Sequence, residues 1–385
     1  MEIKSYETKK EKIFVIDSLI EVRIPLQAYS LLKKNFSDDE IISRGEPREL
    51  RNHVTGRRLY HIHEKAGIPL IGHTAFGIID RGTNVIQVRP ISGCNLNCIF
   101  CSVDEGKSKT RVTDYIVHAP YLLSVFEEVA EFKRKYAPNV KIEAHIDGQG
   151  EPFLYPKIEE LIKRLSEMAD IVSIQTHGML LSKERIKKLE NYLDRINLSI
   201  HTLDEKKGKM LSGVAMYDVE YVKKMCKEIA QSNIDLLLAP VWIPGYNDND
   251  IKEIIDFGKE IAAGKKWKPF GIQKYVKYRF GKKPRGIKAM SYKRFYASLS
   301  SIGNGLRLFP KDFGIIKCKS IPKKFRVGER VNLDLCLYGR MKKEMIAVAR
   351  DRVIQVVDTE SKPGDTVRGK IIRNRHNIYI AVVKD

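Results

Sequence analysis

From Val85 onward the chain alternates short β-branched runs with segments of helical period. Apolar runs at Val85–Val88, Lys141–Ile146, Ile171–Gln175, Ile196–Ile200, Asp235–Val241 and Gly271–Val276 predict strands. Between them, Tyr121–Tyr136, Ile158–Met168, Lys183–Leu193, Val219–Ala230 and Ile251–Ile261 repeat apolar residues three and four apart, which predicts helices with one buried face. Six β-α units in succession imply an α/β fold with a parallel sheet and helices outside it. Periodicity alone leaves an open doubly wound sheet and a barrel equally available.

The pattern differs at both ends. Residues 1–82 read as a mixed accessory region of short strands and one or two helices, with Gly56, Gly67, Gly72, Gly77 and Gly82 punctuating its tail. The alternating core occupies 83–316. Residues 317–385 turn to short strands separated by turns, at Glu329–Leu337, Glu344–Ala349, Arg352–Val357, Asp365–Ile372 and Ile378–Val383. Five such strands predict a small OB-like all-β barrel.

Chemistry enters with the run Gly93-Cys94-Asn95-Leu96-Asn97-Cys98-Ile99-Phe100-Cys101, directly after the first predicted strand of the core. Three thiolates on one tight loop can hold three irons of a [4Fe-4S] cluster and leave the fourth open to a small chelating molecule. A zinc knuckle would bring a fourth Cys or His at matching spacing, and none lies nearby. One β-α unit later comes Asp147-Gly148-Gln149-Gly150-Glu151-Pro152. Its glycines let backbone carbonyls approach an ammonium group, although an ordinary strand-to-helix turn favours the same residues.

The cysteine spacing, the aromatic residue before the last cysteine and the glycine-rich turn together resemble the radical S-adenosylmethionine (radical SAM) superfamily, with Gln149 inserted in its Gly-Gly-Glu-Pro motif. The resemblance implies a partial (β/α)6 TIM-like barrel and a [4Fe-4S] cluster on Cys94, Cys98 and Cys101. It also implies bound SAM, cleaved reductively to a 5′-deoxyadenosyl radical, and an external one-electron donor such as ferredoxin or flavodoxin. Carried onto this sequence residue by residue, it places SAM against Phe100, Gly148, Gly150, Glu151, Gln175, Ser199 and Ile243. Ser199 matches a polar cofactor contact. Pro244-Gly245-Tyr246-Asn247-Asp248 resembles the turn beside the adenine, and Gln175-Thr176-His177-Gly178 has histidine where the family often has asparagine. His145, His177 and His201 fall at or near successive strand ends, where barrel sites are built. Each also reads as a satisfied polar residue of a cavity wall, and a second metal on all three is a further option. His61 and His63, two apart, read as decoration of a strand face. Catalytic candidates are His177, His201, Cys318 and Cys336. Cys226 reads as a buried helix thiol, and inert packing is the alternative for Cys318 and Cys336 too.

Charge then narrows the partner. The 385 residues carry a formal net charge of +21, which favours a polyanion. Lys265 to Lys288 holds ten basic and no acidic residues, interleaved with Trp267, Phe270, Tyr275, Tyr278 and Phe280. Cations that neutralise phosphate beside rings that stack on unpaired bases fit single-stranded RNA, whereas a solvated lysine loop is the bland alternative. Residues 322–385 hold 15 Lys and Arg against 8 Asp and Glu. Gly328-Glu329, Ala347 to Arg352, Pro363-Gly364-Asp365 and Asn377 to Ala381 resemble a TRAM domain, a barrel found on tRNA- and rRNA-modifying enzymes. Candidate RNA contacts are Lys274, Lys277, Arg279, Lys282, Lys283, Arg285, Arg340, Arg373 and Arg375. The expected activity is modification of RNA, tRNA before rRNA. Methylthiolation is disfavoured, because that family's second three-cysteine site has no counterpart before Cys94. The alternative is a radical SAM enzyme acting on a small molecule or peptide. Six cysteines without a disulfide framework, no membrane span and no apolar leader point to a reducing cytoplasm and no membrane partner.

Overall fold

The structure, a computed structural model, describes residues 2–43 and 50–383. Strands β1 (Ile3–Glu7), β2 (Glu11–Ile16) and β3 (Ile20–Pro25) form an antiparallel meander. Helices α1 (Leu26–Leu32) and α2 (Asp38–Ser43) cover it through a small core at Phe14, Val22, Ile24 and Ile41. β4 (Arg51–Asn52) and β5 (Arg58–Ile62) extend the same sheet.

Two strands then cross over between sheets. β6 (Gly77–Asp80) leaves the N-terminal sheet and pairs antiparallel with β7 (Val85–Arg89), the first parallel strand of the core. β8 (Thr113–Val117), which follows the cysteine loop, returns to lie parallel to β5. A division at residues 82 and 83 therefore falls inside the β6–β7 hairpin. Which edge of a sheet accepts a strand is a long-range matter, and neither composition nor period carries it.

The core continues in chain order as α3 (Ala119–Tyr136), β9 (Glu143–Ile146), α4 (Ile158–Met168), β10 (Ile171–Thr176), α5 (Lys183–Leu189), β11 (Arg195–Leu198), α6 (Glu205–Ser212), α7 (Val219–Gln231), β12 (Asp235–Leu238), β13 (Val241–Trp242), α8 (Asp250–Glu260), β14 (Gln273–Lys274) and α9 (Tyr292–Ile302). Strands β7, β9, β10, β11 and β12 run parallel side by side. β14 continues the curve through a parallel bridge from Leu238 to Phe270 and its pairing with β13. The result is an incomplete (β/α)6 barrel with β6 on its open edge. Helices form where the apolar spacing dictates. α4 buries Ile158, Leu161, Ile162 and Leu165, and α7 buries Val219, Val222, Met225, Cys226 and Ile229. Ser182, Asp204 and Asp218 accept the N–H of Arg185, Lys207 and Tyr221 at the starts of α5, α6 and α7, each cap contributing about 1 kcal/mol.

The C-terminal strands β15 (Arg330–Tyr338), β16 (Glu344–Ala349), β17 (Arg352–Val357), β18 (Thr366–Arg373) and β19 (Ile380–Val383) close into a five-stranded barrel in the order β15-β16-β17-β19-β18. Along β15 the alternate residues Val331, Leu333 and Leu335 point inward to Ile354, Ile371 and Tyr379. Closure removes the free edges that short strands would otherwise expose.

The linker into this barrel is held by a fully buried ion pair. Lys133 of α3 reaches Asp80 at 2.7 Å, and Asp80 also accepts the N–H groups of Gly82 and Ile321 at 2.8 Å each. Lys133→Met would leave that carboxylate buried without its cation. We expect a loss of about 3–5 kcal/mol of unfolding free energy, read from the denaturant midpoint. An unchanged midpoint would show that the two N–H donors alone satisfy Asp80.

Candidate active site

The site is built where β7 and β9 end. A parallel bridge joins Gly93 to Gly150, with Gly93 N–H donating to Gln149 O and Glu151 N–H to Gly93 O, both at 2.9 Å. A Cβ on Gly150 would lie 2.0 Å from Gly93 O, so only glycine permits this approach. The inserted Gln149 turns away from the cavity and donates to Thr74 Oγ1 at 2.9 Å, leaving both flanking glycines on the cavity wall.

The loop itself is cradled from below by the end of α6. Asn97 N–H and Ile99 N–H donate to the carbonyls of Ser212 and Leu211 at 2.9 and 3.0 Å. Cys94, Cys98 and Cys101 are free thiols that line one cavity of about 390 Å³. Cys94 Sγ accepts the Leu96 N–H, and Cys101 Sγ the Glu105 N–H. Burial, and then the proximity of the other cysteines, pushes Cys94 far up and Cys98 up to about 12; burial raises Cys101 as well. A positively charged partner bound among them would stabilise the thiolates that burial disfavours. Among the described residues no group of three or more His, Cys, Asp or Glu side chains forms a site for a single metal ion.

Glu151, 2% exposed, organises the neighbouring turn. Its Oε1 accepts from Phe153 N–H at 3.0 Å and Thr176 Oγ1 at 2.8 Å, and its Oε2 from His177 N–H at 3.0 Å. His177 Nδ1 accepts the Met179 N–H, so its Nε2–H donates to Asn95 Oδ1 at 2.8 Å and ties the third strand end to the cysteine loop. Burial lowers its pKa and keeps the ring neutral. His201 is lowered to about 4 by burial, accepts the Val241 N–H, and meets Phe100 edge-on at 4.7 Å. Gln175 Nε2 donates to Ser199 Oγ at 3.2 Å beside them. Phe100, Gly148, Gly150, Glu151, Gln175, His177, Ser199 and His201 all line the cavity.

Other expectations are displaced. Ile243 is fully buried behind the wall, packed with Phe100, Leu211 and Tyr275. His145 does not join the other two histidines. It bonds Ser173 Oγ at 2.7 Å and lines a separate cavity at the opposite end of the strands. Cys318 and Cys336 are absent from the described wall of the thiol cavity, each giving its S–H to a carbonyl two residues back. Lys282 does not stand free: its Nζ bonds Asn97 Oδ1 and Glu105 O at 2.5 Å, strapping the cysteine loop. Lys274 lies on the wall with its ammonium 4.8 Å from the Tyr292 ring. Lys277, Arg279, Lys283, Arg285, Arg373 and Arg375 are exposed. Arg340, expected at a phosphate, is instead 2% exposed. Its guanidinium bonds Asp114, Glu105 and the Thr113 carbonyl, because β15 ends over this charge pair and seals it from water. Sequence reading missed Asn95, Thr176 and the α6 terminus, since their roles depend on partners 25 to 115 residues away, which no local motif marks.

A model described as the radical SAM superfamily matches residues 88–258. The uncharacterized protein MJ0103 of Methanocaldococcus jannaschii is 41% identical over 370 residues, covering 89% of this chain and 84% of that protein. The chain belongs to the radical SAM superfamily. GTP 3',8-cyclase of Aquifex aeolicus is 30% identical over 190 residues, covering 48% of this chain and 56% of that enzyme. The chain thus spans about half the length of the cyclases it matches. Among solved structures, Streptococcus suis SuiB aligns at 18% identity with a TM-score of 0.42, over 78% of this chain and 67% of that one. The radical SAM cofactors are a [4Fe-4S] cluster and SAM. The thiol donor set fits the cluster, and Cys94, Cys98 and Cys101 would hold it.

Two outcomes test this radical SAM site. Forming each thiolate–iron bond releases a proton from a thiol whose pKa is raised, so reconstituted iron content should fall steadily as the pH drops from about 9 to 6. Iron content independent of pH would show that the thiols ionise without cost in the folded chain. Arg340→Met should cost about 3–5 kcal/mol in urea unfolding by leaving Asp114 and Glu105 under-compensated; a neutral substitution would mean Arg57 alone balances them.

Proposed function

We propose that this radical SAM enzyme modifies RNA, tRNA before rRNA. The observation that carries the reading is the segment over the cavity mouth. Gly281 and Lys282 pack on the cysteine loop, with Lys282 N–H donating to Cys101 O at 2.8 Å. The same segment leaves Tyr278 and Phe280 exposed at 53% and 44%, with Tyr278 on the cavity rim. Lys277, Arg279, Lys283 and Arg285 surround them in solvent. Two rings and four cations at the entrance can stack an unpaired base and neutralise its phosphates. The closed C-terminal barrel, with its TRAM-like turns and basic excess, supplies a second surface of the same sign.

The bound cofactors supply reductive cleavage of a sulfonium bond and removal of hydrogen from an unactivated carbon. The chain supplies position. Phe100, Gly148, Gly150, Glu151, Gln175 and Ser199 would border SAM, with Ile243 supporting Phe100 from behind. His201, kept neutral by burial, would offer its Nε2–H to the cavity without adding charge, while the Nε2–H of His177 stays on Asn95 Oδ1. The electron comes from an external one-electron carrier in the cytoplasm. Among the described residues no helix is long and apolar enough to cross a membrane.

A small-molecule substrate is the second reading, favoured by the match to GTP 3',8-cyclases across the core. Retention on bulk tRNA separates the two. RNA binding should weaken steeply between about 50 and 200 mM salt, and Tyr278→Ala with Phe280→Ala should lose about 1–3 kcal/mol per stacked base. Nucleosides from cells with and without the gene, compared by mass spectrometry, should differ by one modified species. Identical nucleoside profiles would reject the RNA reading.

A further inference from the structure

We propose that the cavity at the far end of the barrel strands is a second binding site, built for a small uncharged aromatic carboxamide. It is independent of the RNA reading and stands whether or not RNA is the substrate. The cavity encloses about 330 Å³, at the lower end of the range of small-molecule sites. Glu143 and His145 of β9, Gln175 of β10, and Arg195 and Asn197 of β11 form its polar wall, because alternate residues of each strand share the lumen face.

Arg195 is only 4% exposed, and its guanidinium lies over the rings of Trp267 at 4.8 Å and Phe313 at 5.0 Å. Its Nη2 pairs with Glu143, and its Nε donates to Asn197 Oδ1 at 3.1 Å. Its Nη1 is buried without a hydrogen-bond partner among the described residues. A buried donor left unsatisfied costs free energy, so the position suits an acceptor that the chain itself does not provide. Asn197 Oδ1 is taken by a group that can only donate, so the free end of this amide is its Nδ2 donor. Across the lumen, Ser173 Oγ gives its proton to Glu143 Oε1 and therefore accepts His145 Nδ1–H at 2.7 Å. That leaves Nε2 of the neutral imidazole as an acceptor.

Two donors and an acceptor match a carboxamide, whose oxygen accepts twice and whose NH2 donates. A carboxylate would fill the donors too, but the charge of Arg195 is already balanced by Glu143. A second anion would lie buried beside that carboxylate without a cation of its own. The other walls are apolar, from Val85, Leu237, Leu308, Phe313 and Ile315, and suit a flat ring. The last three belong to the segment 308–315, which closes this end of the barrel. Asn84 fixes it by donating to Gly314 O at 3.1 Å and accepting the Ile316 N–H at 2.8 Å, and Lys268 holds Asp312 at 3.1 Å. Gln175 and Gln273 line both this cavity and the thiol cavity, so the two chambers share a wall.

Equilibrium dialysis of radiolabelled benzamide against the full-length holoenzyme tests the site. Benzoate, of the same shape but anionic and without an N–H, is the comparison. Benzamide should bind saturably, one per chain and at least about tenfold tighter than benzoate, and saturating SAM should leave it bound. Asn197→Leu removes one donor and Phe313→Ala removes the ring face. Each should weaken benzamide binding at least about fivefold, with iron content and thermal midpoint verifying that the variants are folded. Absence of saturable binding, benzoate binding as tightly as benzamide, or unchanged affinity in both folded variants overturns the site. Displacement of benzamide by SAM also overturns it, by placing the amide in the cofactor cavity instead.

Discussion

Four charges shut away from water hold the architecture around the cysteine loop. Arg340 and Arg57 face Asp114 and Glu105 where five stretches of chain converge: the N-terminal sheet, Ser92 after β7, the segment behind Cys101, β8 and the tip of β15. Burial is the dominant influence on the two central partners. It pushes Asp114 up and Arg340 down to about 9, so each resists its own charge and keeps it because the other is there. Asn52 and Thr55 fill the second Asp114 oxygen at 3.1 and 2.5 Å. A balanced, hydrogen-bonded set of this kind is rigid, and removal of any member leaves an uncompensated ion.

That rigidity is passed directly to the thiols. Glu105, held by both arginines, donates its own N–H to Cys101 Sγ and accepts Lys282 Nζ at its carbonyl. On the other side of the loop, Gly93 is bridged to Gly150 and Asn95 to His177. The loop is thus fixed from four directions by elements that are far apart in sequence. A cluster site needs this, because three thiols on a nine-residue loop have no intrinsic reason to converge.

The same geometry explains why the mouth of the thiol cavity is built from loops and short strands. β14 pairs over only two residues, which frees the segment after it to bend across the cysteine loop and expose Tyr278 and Phe280. The C-terminal barrel, tied in through Arg340 and through Val353 N–H to Ile71 O at 2.9 Å, is not a tethered appendage but part of the wall behind the site.

Much of this was written locally. Apolar period set α4 and α7 to within a residue of their observed ends, and five short strands between turns set the C-terminal barrel, with β16 and β17 matched at both ends. Cysteine spacing and the Gly-Gln-Gly-Glu turn carried the resemblance to the radical SAM superfamily, because both lie within a few consecutive residues and need no distant partner to be read. What the chain could not declare was partnership. A basic residue in a basic stretch has the same local signature whether it meets solvent, as Arg279 does, a backbone carbonyl, as Lys282 does, or a buried carboxylate, as Arg340 does. Likewise β6 and β8 exchange sheets because free edges lay there to receive them. Local sequence determines which conformation and which chemistry a segment can have; desolvation and long-range pairing, which exist only once the chain is packed, decide what each charge and each edge is for.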